Sequence, residues 1–230
     1  MSNKNESIGV LATKAILGRT VFLIITATIM FLAAGTFKWI NAWIYLSLFY
    51  TVMILIVFMH LASNPENVKL HQNADNTNKL DKLLITLYNL MLFIFPATAG
   101  LLFRAQMGFM DSWPWLGGLI IMALATAIAL WSIRVNQFFE VEIRIQGTEH
   151  HVVNKGPYKV VRHPGYLSSI MMWFATPFIL QNNYLFIFSI LFSLVFVVRT
   201  NTEDKQLKKG LPGYVSYSET VRFRLIPGIW

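Results

Sequence analysis

The sequence predicts an all-α protein, a polytopic membrane helical bundle with about five to six spans that include a C-terminal helical hairpin. Composition indicates this class, because the 230-residue chain is 55% hydrophobic and only 13% charged, whereas soluble domains carry roughly 25% charged residues. The charged residues also cluster between long apolar runs. That distribution is typical of a chain folded in a bilayer.

Four apolar runs in the first part of the chain are each long enough to cross a membrane as a helix, which takes about 20 residues. They are residues 20–37, 40–62, 83–103 and 115–135. A fifth apolar region, 166–198, is longer but is interrupted by the polar triplet 181–183, Gln-Asn-Asn. We therefore predict a hairpin there, with two short arms and its polar turn at a membrane surface.

Basic residues alternate between the loops. All of the 19 Lys and Arg residues except Lys38 and Arg104 lie before the first run, around the loops after the second and fourth runs, or in the tail. The positive-inside rule then predicts an integral, multi-pass membrane protein with both termini in the cytoplasm. A signal peptide is the alternative interpretation of the first run, but the run fits the alternation as a span.

Several classes of site and partner are disfavoured. The chain has no cysteine, so it contains no thiolate nucleophile, disulfide or Cys-based metal site. His150 and His151 are most typical of a solvated loop pair, without the spacing of metal ligands, and we predict no metal. The net charge of +8 would suggest nucleic acid for a soluble protein, but its distribution here indicates membrane lipids instead.

Titratable groups collect in two segments, 150–163 and 199–204. The hairpin between them leaves the cytoplasmic face and returns to it, so we expect the two segments to form one pocket at the membrane boundary. The chain then divides into four transmembrane helices, 1–135, and a catalytic region, 136–230, made of a cytoplasmic loop, the hairpin and a tail.

Local chemistry within the first segment favours a shaped pocket. Pro164 disfavours helical geometry at His163, so a helix should begin after it. The N-terminus of that helix, near 165–168, favours an anionic group. Tyr158 and Tyr166 offer flat aromatic faces that suit an adenine ring or a sulfonium cation.

In the second segment, Arg199 and Glu203 are four residues apart, so on a helix they share a face and can pair. Together they could hold a zwitterion, with the guanidinium on a carboxylate and the carboxylate on an ammonium. As isolated features these residues are ordinary: such a pair usually decorates a surface. Arg162 alone is typical of an orientation signal or a lipid headgroup contact, and Asp204 is more typical of a solvated residue than of a catalytic one.

Taken together, the residues resemble a known family. The segment 150–166, HHVVNKGPYKVVRHPGY, resembles the signature of the isoprenylcysteine carboxyl methyltransferase family, part of a wider group of integral-membrane methyltransferases that includes the phospholipid methyltransferases. The rest of the pattern is an Arg, an acidic pair and a Tyr-rich tail, here Arg199, Glu203-Asp204, Leu207, Tyr214, Tyr217, Arg224 and Pro227. The resemblance covers about residues 137–230.

The resemblance implies S-adenosylmethionine (SAM) as methyl donor, bound between the cytoplasmic loop and the tail. The residues it assigns to the cofactor are His150, His151, Val152, Val153, Tyr158, His163, Pro164, Gly165, Tyr166 and Glu203. It assigns catalysis to Arg199 and Glu203, with Arg199 facing the methyl acceptor or holding a carboxylate. The acceptor would be a lipophilic or lipid-modified molecule that carries an isoprenoid carboxylate or another lipid O or N group.

The chemistry of the residues agrees with methyl transfer, which is an in-line displacement that depends mainly on positioning. A carboxylate acceptor needs no base, whereas an amine or hydroxyl would need one, and Glu203, His163 or Tyr166 could serve. The identity of the acceptor, O- or N-methylation and the oligomeric state stay open.

Two other functions remain as alternatives. A membrane reductase could use NADPH on a sterol-like or enone lipid, with Lys155, Lys159 and Arg162 available for the 2′-phosphate. A non-enzymatic scaffold or small transporter is the other alternative, although a coupled transporter usually has more ionisable groups at depth than spans one to four contain.

Overall fold

The computed structural model describes residues 8–63, 79–111, 113–136, 138–139 and 151–230. Within these ranges the regular structure is helical, which confirms the predicted all-α class. The helices are α1 (Ile8–Ala34), α2 (Ile40–Ser63), α3 (Lys79–Arg104), α4 (Pro114–Val135), α5 (Pro164–Leu180), α6 (Phe186–Gly210) and α7 (Tyr214–Thr220), with 3₁₀ turns at Gly156–Lys159 and Asn183–Leu185.

Five helical segments in the described ranges are long and apolar enough to cross a membrane, namely α1 to α4 and the segment Asn183–Gly210 that contains α6. The protein is therefore an integral, multi-pass membrane protein. The first arm of the hairpin, α5, has 17 residues and is about 25 Å long at 1.5 Å per residue, so it is a shorter element than the five spans.

Two helices extend beyond the predicted apolar runs. α1 begins at Ile8, 12 residues before the predicted span, because residues 8–19 contain no proline and only two charges, Lys14 and Arg19. α6 continues from the apolar arm to Gly210. Its last three turns carry the acidic pair of the C-terminal motif, so these carboxylates are placed by a rigid helix rather than by a loop.

The predicted hairpin is present, and its polar turn is held by hydrogen bonds. Gln181 ends α5 in the left-handed conformation, with φ 54°. The Asn182 side chain donates to the Met107 carbonyl at 2.7 Å, and the Asn183 amide donates to the Gly108 carbonyl at 2.7 Å. These bonds fix the turn to the connection between α3 and α4, and so fix the direction in which both arms return to the opposite end of the bundle.

Aromatic packing aligns the two arms with α3. Trp173 of α5 stacks on Phe192 of α6, with ring centroids 3.5 Å apart, and Tyr88 of α3 packs edge-on to Phe192 at 5.1 Å. Ser189 adds a direct tie, since its hydroxyl donates to the Trp173 carbonyl at 2.7 Å. The arms therefore emerge together at the end of the bundle where α3 begins.

The cytoplasmic orientation of that end stays a prediction from the distribution of basic residues. Because the chain has no cysteine, labelling of single cysteines introduced at the exposed positions Asp111 and Ser216 measures the orientation directly. A membrane-impermeant maleimide should label Ser216→Cys from the cytoplasmic side and Asp111→Cys from the other side. The reverse pattern would contradict the orientation.

We expect Gly100→Ala to destabilise the bundle. A Cβ at Gly100 in α3 would lie 2.7 Å from Ala33 Cβ and 2.8 Å from the Ala34 amide nitrogen of α1, and small residues are what allow helices to approach this closely. The strain should lower the free energy of unfolding by ~1–3 kcal/mol. Thermal unfolding in detergent measures it against Gly117→Ala, where a Cβ meets nothing within 4 Å; equal melting temperatures for both variants would refute the close contact.

Candidate active site

The return of the hairpin places the two titratable segments in contact, which confirms the predicted convergence. The Arg162 guanidinium donates to Asp204 through Nε–Oδ1 at 2.8 Å and Nη2–Oδ2 at 3.3 Å. His163 lies beside both acids, with Nε2 3.6 Å from Asp204 Oδ1 and Nδ1 3.9 Å from Glu203 Oε1. Side-chain contacts therefore join residues that lie about 40 positions apart along the chain.

Arg162 is buried, and all three of its guanidinium nitrogens donate hydrogen bonds inside the protein. Its Nη1 donates to three backbone carbonyls at the end of α7, those of Ser218 at 3.2 Å, Val221 at 2.7 Å and Arg222 at 3.0 Å. The interpretation of Arg162 as an orientation signal or headgroup contact is therefore wrong. The reason is the tail, which folds over this side chain and supplies oxygen acceptors that no local pattern around residue 162 could indicate.

Asp204 is fully buried, so its interpretation as a solvated residue is also wrong. Besides Arg162, it accepts hydrogen bonds from Arg224 Nε at 3.0 Å and from the Tyr214 hydroxyl at 3.1 Å. Lys208 Nζ lies 3.7 Å away at its more exposed edge. The charge of this carboxylate is thus compensated by groups from α6, from the segment before α5 and from the tail.

The tail after α7 is held by backbone hydrogen bonds. The amides of Arg162 and His163 donate to the carbonyls of Phe223 and Arg224 at 2.9 and 3.0 Å. The Arg224 guanidinium also lies over the Trp230 ring, 5.1 Å from its centroid. These contacts hold the tail beside the Arg-His-Pro turn, where it covers one side of the ion cluster.

A cleft lies between the segment 151–166 and the α6–α7 region. Its empty volume is about 760 Å³, including space open to solvent. The described residues that line it are Asn136, Phe138, Phe139, His151, Val152, Val153, Tyr158, Arg162, His163, Gly165, Tyr166, Glu203, Leu207, Leu211, Tyr214 and Tyr217.

Most of the residues assigned from the resemblance line this cleft. They are His151, Val152, Val153, Tyr158, His163, Gly165, Tyr166 and Glu203. Pro164 is buried at the start of α5 and is not among the lining residues. His150 lies outside the described residues.

Arg199 is placed behind the cleft rather than among its lining residues. It is buried, and its Nε lies 3.0 Å from Asp81 Oδ1 in the first turn of α3. Its guanidinium carbon lies 5.8 Å from the centroid of the Tyr166 ring. Arg199 therefore contacts the cleft through Tyr166, and the acidic residue that holds it comes from a distant part of the chain.

The two acids of the pair have different surroundings. The Glu203 side chain is 27% exposed, whereas that of Asp204 is 1% exposed. On a helix, successive residues point about 100° apart, so Asp204 turns into the ion cluster while Glu203 turns into the cleft. Glu203 is thus the carboxylate of the pair that a ligand can reach.

Tyrosines form much of the cleft wall, and they are held as neutral phenols. Burial raises the pKa of Tyr158, of Tyr214 and of Tyr217, and for Tyr214 the nearby charges of Asp204 and Glu203 raise it further. The Tyr217 hydroxyl donates to the Tyr158 carbonyl at 2.7 Å, and Asn136 Nδ2 donates to the Tyr158 hydroxyl at 3.0 Å. The rings are therefore fixed in orientation.

Sequence reasoning gave no role to several lining residues. Leu207 and Leu211 follow Glu203 at intervals of four, and this helical spacing is a signal that could have placed them on the same face. Tyr214 and Tyr217 belonged to the tail pattern without an assigned role. Asn136, Phe138 and Phe139 follow the fourth span directly, and no residue pattern distinguishes them there.

Residues 116–209 match the model of the isoprenylcysteine carboxyl methyltransferase (ICMT) family. That region, 94 of the 230 residues, resembles the family. It runs from α4 to the end of α6 and contains the Arg-His-Pro turn and the acidic pair. The matched region lies among helices that are long and apolar enough to cross a membrane.

The other comparisons are brief. A solved structure of the eukaryotic intramembrane Ras methyltransferase ICMT, without a monobody, is 16% identical to this chain, with a TM-score of 0.49, and the similarity covers 92% of this chain and 75% of that one. The comparison with curated proteins finds no match.

We expect Asp204→Asn to destabilise the C-terminal part of the fold, where α5, α6 and the tail meet. The change leaves two guanidiniums, those of Arg162 and Arg224, beside a neutral amide, and breaking a buried ion pair typically lowers the free energy of unfolding by ~3–5 kcal/mol. For a chain of this size, that corresponds to a melting temperature roughly 10 °C lower. Thermal unfolding in detergent measures it, with the exposed Glu219→Gln as control. A melting temperature equal to that of the control would show that the cluster does not stabilise the fold.

Proposed function

We propose that the protein transfers a methyl group from SAM to a lipophilic acceptor at the cytoplasmic boundary of the membrane. The observation that carries the proposal is the Glu203 carboxylate, open in a cleft walled by Tyr158 and Tyr166, within a region that resembles a methyltransferase family. An accessible carboxylate among aromatic rings favours a cationic ligand with a flat group attached.

The residues of the cleft fit the methyl donor. When bound, SAM supplies a methyl group on a cationic sulfonium sulfur, next to an ammonium, a carboxylate and an adenine ring. Glu203 can compensate positive charge, and the faces of Tyr158 and Tyr166 suit both the cation and the ring. A Cβ at Gly165 would lie 2.5 Å from the Phe139 ring, so glycine allows Phe139 to close the cleft at the start of α5 and to restrict water there.

Further donor contacts are assigned to His151, Val152, Val153 and His163, whereas Pro164 does not line the cleft and supports the start of α5. His163 has the second role of linking the cleft to the ion cluster, because its ring stacks on Tyr166 with centroids 5.9 Å apart. In this arrangement the Arg162–Asp204 pair has a structural role. It fixes the turn from which His163 and Tyr166 project.

On the acceptor side, Arg199 precedes Glu203 by one helical turn, about 6 Å along α6. From Glu203 to Arg199, α6 therefore runs from its cytoplasmic end toward the membrane interior, where a lipid-anchored acceptor would arrive. A carboxylate acceptor is already ionised at neutral pH. An amine or hydroxyl acceptor would need a base, and Glu203 and His163 are the groups beside the cleft that can take a proton.

The reductase alternative is weakened by the position of Arg162. It was one of three basic side chains available for a 2′-phosphate, but its N–H donors go to Asp204 and to three backbone carbonyls. Lys155 and Lys159 remain, at the two ends of the 3₁₀ turn that carries Tyr158.

Binding of radiolabelled SAM to the purified protein in detergent tests the donor. We expect saturable binding, and in thermal-shift titrations we expect SAM, not NADPH, to raise the melting temperature. Glu203→Gln and Tyr158→Ala should each weaken binding by roughly tenfold, the effect of losing one charge-assisted or aromatic contact. Glu219→Gln and Lys209→Ala, both exposed on the surface, are the matched controls.

Two outcomes would contradict the proposal. Absence of saturable SAM binding would refute the donor, and equal effects of all four variants would show that the cleft is not the site. The acceptor is then sought by mass spectrometry of membrane lipids incubated with the protein and SAM, as a species that gains the mass of one methyl substituent and depends on Glu203.

A further inference from the structure

Asp81 is a buried acid that the proposed mechanism does not use. Its side chain is 1% exposed, and it lies in the first turn of α3, where the helix N-terminus favours negative charge. Residue 81 is also outside the region 116–209 that matches the family. Its partner, however, is Arg199, which belongs to the two-part motif.

The Asp81 carboxylate contacts one edge of the Arg199 guanidinium. Arg199 Nε lies 3.0 Å from Asp81 Oδ1, and Nη2 donates to Oδ2 at 3.4 Å. Asp81 therefore engages the edge of the guanidinium formed by Nε and Nη2 and directs the Arg199 side chain toward α3. A buried guanidinium needs such a partner, because an uncompensated charge is costly in these surroundings.

Glu203 is a second carboxylate that the helix brings near Arg199. It lies four residues further along α6, the spacing at which Arg and Glu side chains on a helix can pair. If Arg199 turned to Glu203, it would neutralise the carboxylate that lines the cleft. Loss of the Asp81 contact would then leave less of the Glu203 charge for a cationic ligand.

We propose that Asp81 is a positioning residue that holds Arg199 on the α3 side of α6 and so keeps the Glu203 carboxylate open to the cleft. The inference rests on the proposed function, since it assigns Glu203 to the methyl donor. The proposal adds a residue of α3 to a site whose described lining residues all come after Val135 in the sequence.

SAM affinity of four variants tests this role. Asp81→Asn should weaken SAM binding by about tenfold, within the range of coupling between residues of one network, and Asp81→Glu should retain most of the affinity. Arg199→Gln alone removes the guanidinium that Asp81 holds and serves as the single-variant arm of the double-mutant cycle. The decisive variant is the double Asp81→Asn/Arg199→Gln, which should bind SAM nearly as well as the wild type because the competing cation has been removed.

A merely structural role for Asp81 gives a different pattern. Loss of packing would make the double variant at least as weak as Asp81→Asn alone, and that result would overturn the proposal. Asp111→Asn, at an exposed position, controls for the general effect of replacing an aspartate. All affinities are measured on protein that elutes as a single folded species.

A second measurement needs no ligand, and so separates this inference from the proposed function. A water-soluble carbodiimide with an added amine modifies accessible carboxylates, and peptide mass spectrometry gives the rate at Glu203 relative to the exposed Glu219. The relative rate should fall several-fold in Asp81→Asn and recover in the double variant. If the wild type fails to bind SAM, the donor assignment is refuted, while an unchanged Glu203 rate in Asp81→Asn refutes the role of Asp81.

Discussion

The C-terminal part of the fold depends on one buried ion pair, Arg162–Asp204. A guanidinium has five N–H donors in a fixed plane, and here they join Asp204 on α6 to three carbonyls at the end of α7. One side chain thus fixes the hairpin, the tail and the turn that begins α5. Lysine could not replace it, because an ammonium is a single point of charge without the planar fork. Burying such a pair is favourable only when its donors find acceptors, and here each guanidinium nitrogen has one, with backbone oxygens of the tail among them.

The ion pair also explains why two adjacent acids have separate tasks. Asp204 is surrounded by Arg162, Arg224 and Tyr214, so its charge is already compensated. Glu203, turned about 100° away on the same helix, keeps a partly exposed carboxylate in the cleft. A carboxylate with a single methylene reaches the cluster at short distances, which agrees with an aspartate at the second position of the pair. The proposed function uses this division: one acid holds the fold, and the other meets the ligand.

Much of the architecture could be predicted from the sequence, because long apolar runs and scarce charge leave few alternatives in a bilayer. The hairpin followed from a polar triplet inside an apolar run, and the meeting of residues 162–163 with 203–204 followed from the hairpin. The sequence could not indicate which charged side chains are buried and which groups pair with them. Arg162 and Asp204 are buried by a tail that comes from the end of the chain, and Arg199 is held by Asp81, 118 positions away. Such contacts depend on how the helices pack, and no local spacing encodes them.

The position of each group along α6 separates the two substrates of the proposed reaction. The helix runs from the apolar arm toward water, so Arg199 lies deeper than Glu203 by about one turn. In the proposed reaction a water-soluble cation would reach Glu203 through the open side of the cleft, whereas a lipid-anchored acceptor would reach the level of Arg199 from the bilayer. The Tyr166 ring contacts Arg199 on α6 and stacks on His163. A helix that crosses the membrane boundary would thus order donor and acceptor along its own axis, which a soluble fold would have to achieve with a separate lipid-binding site.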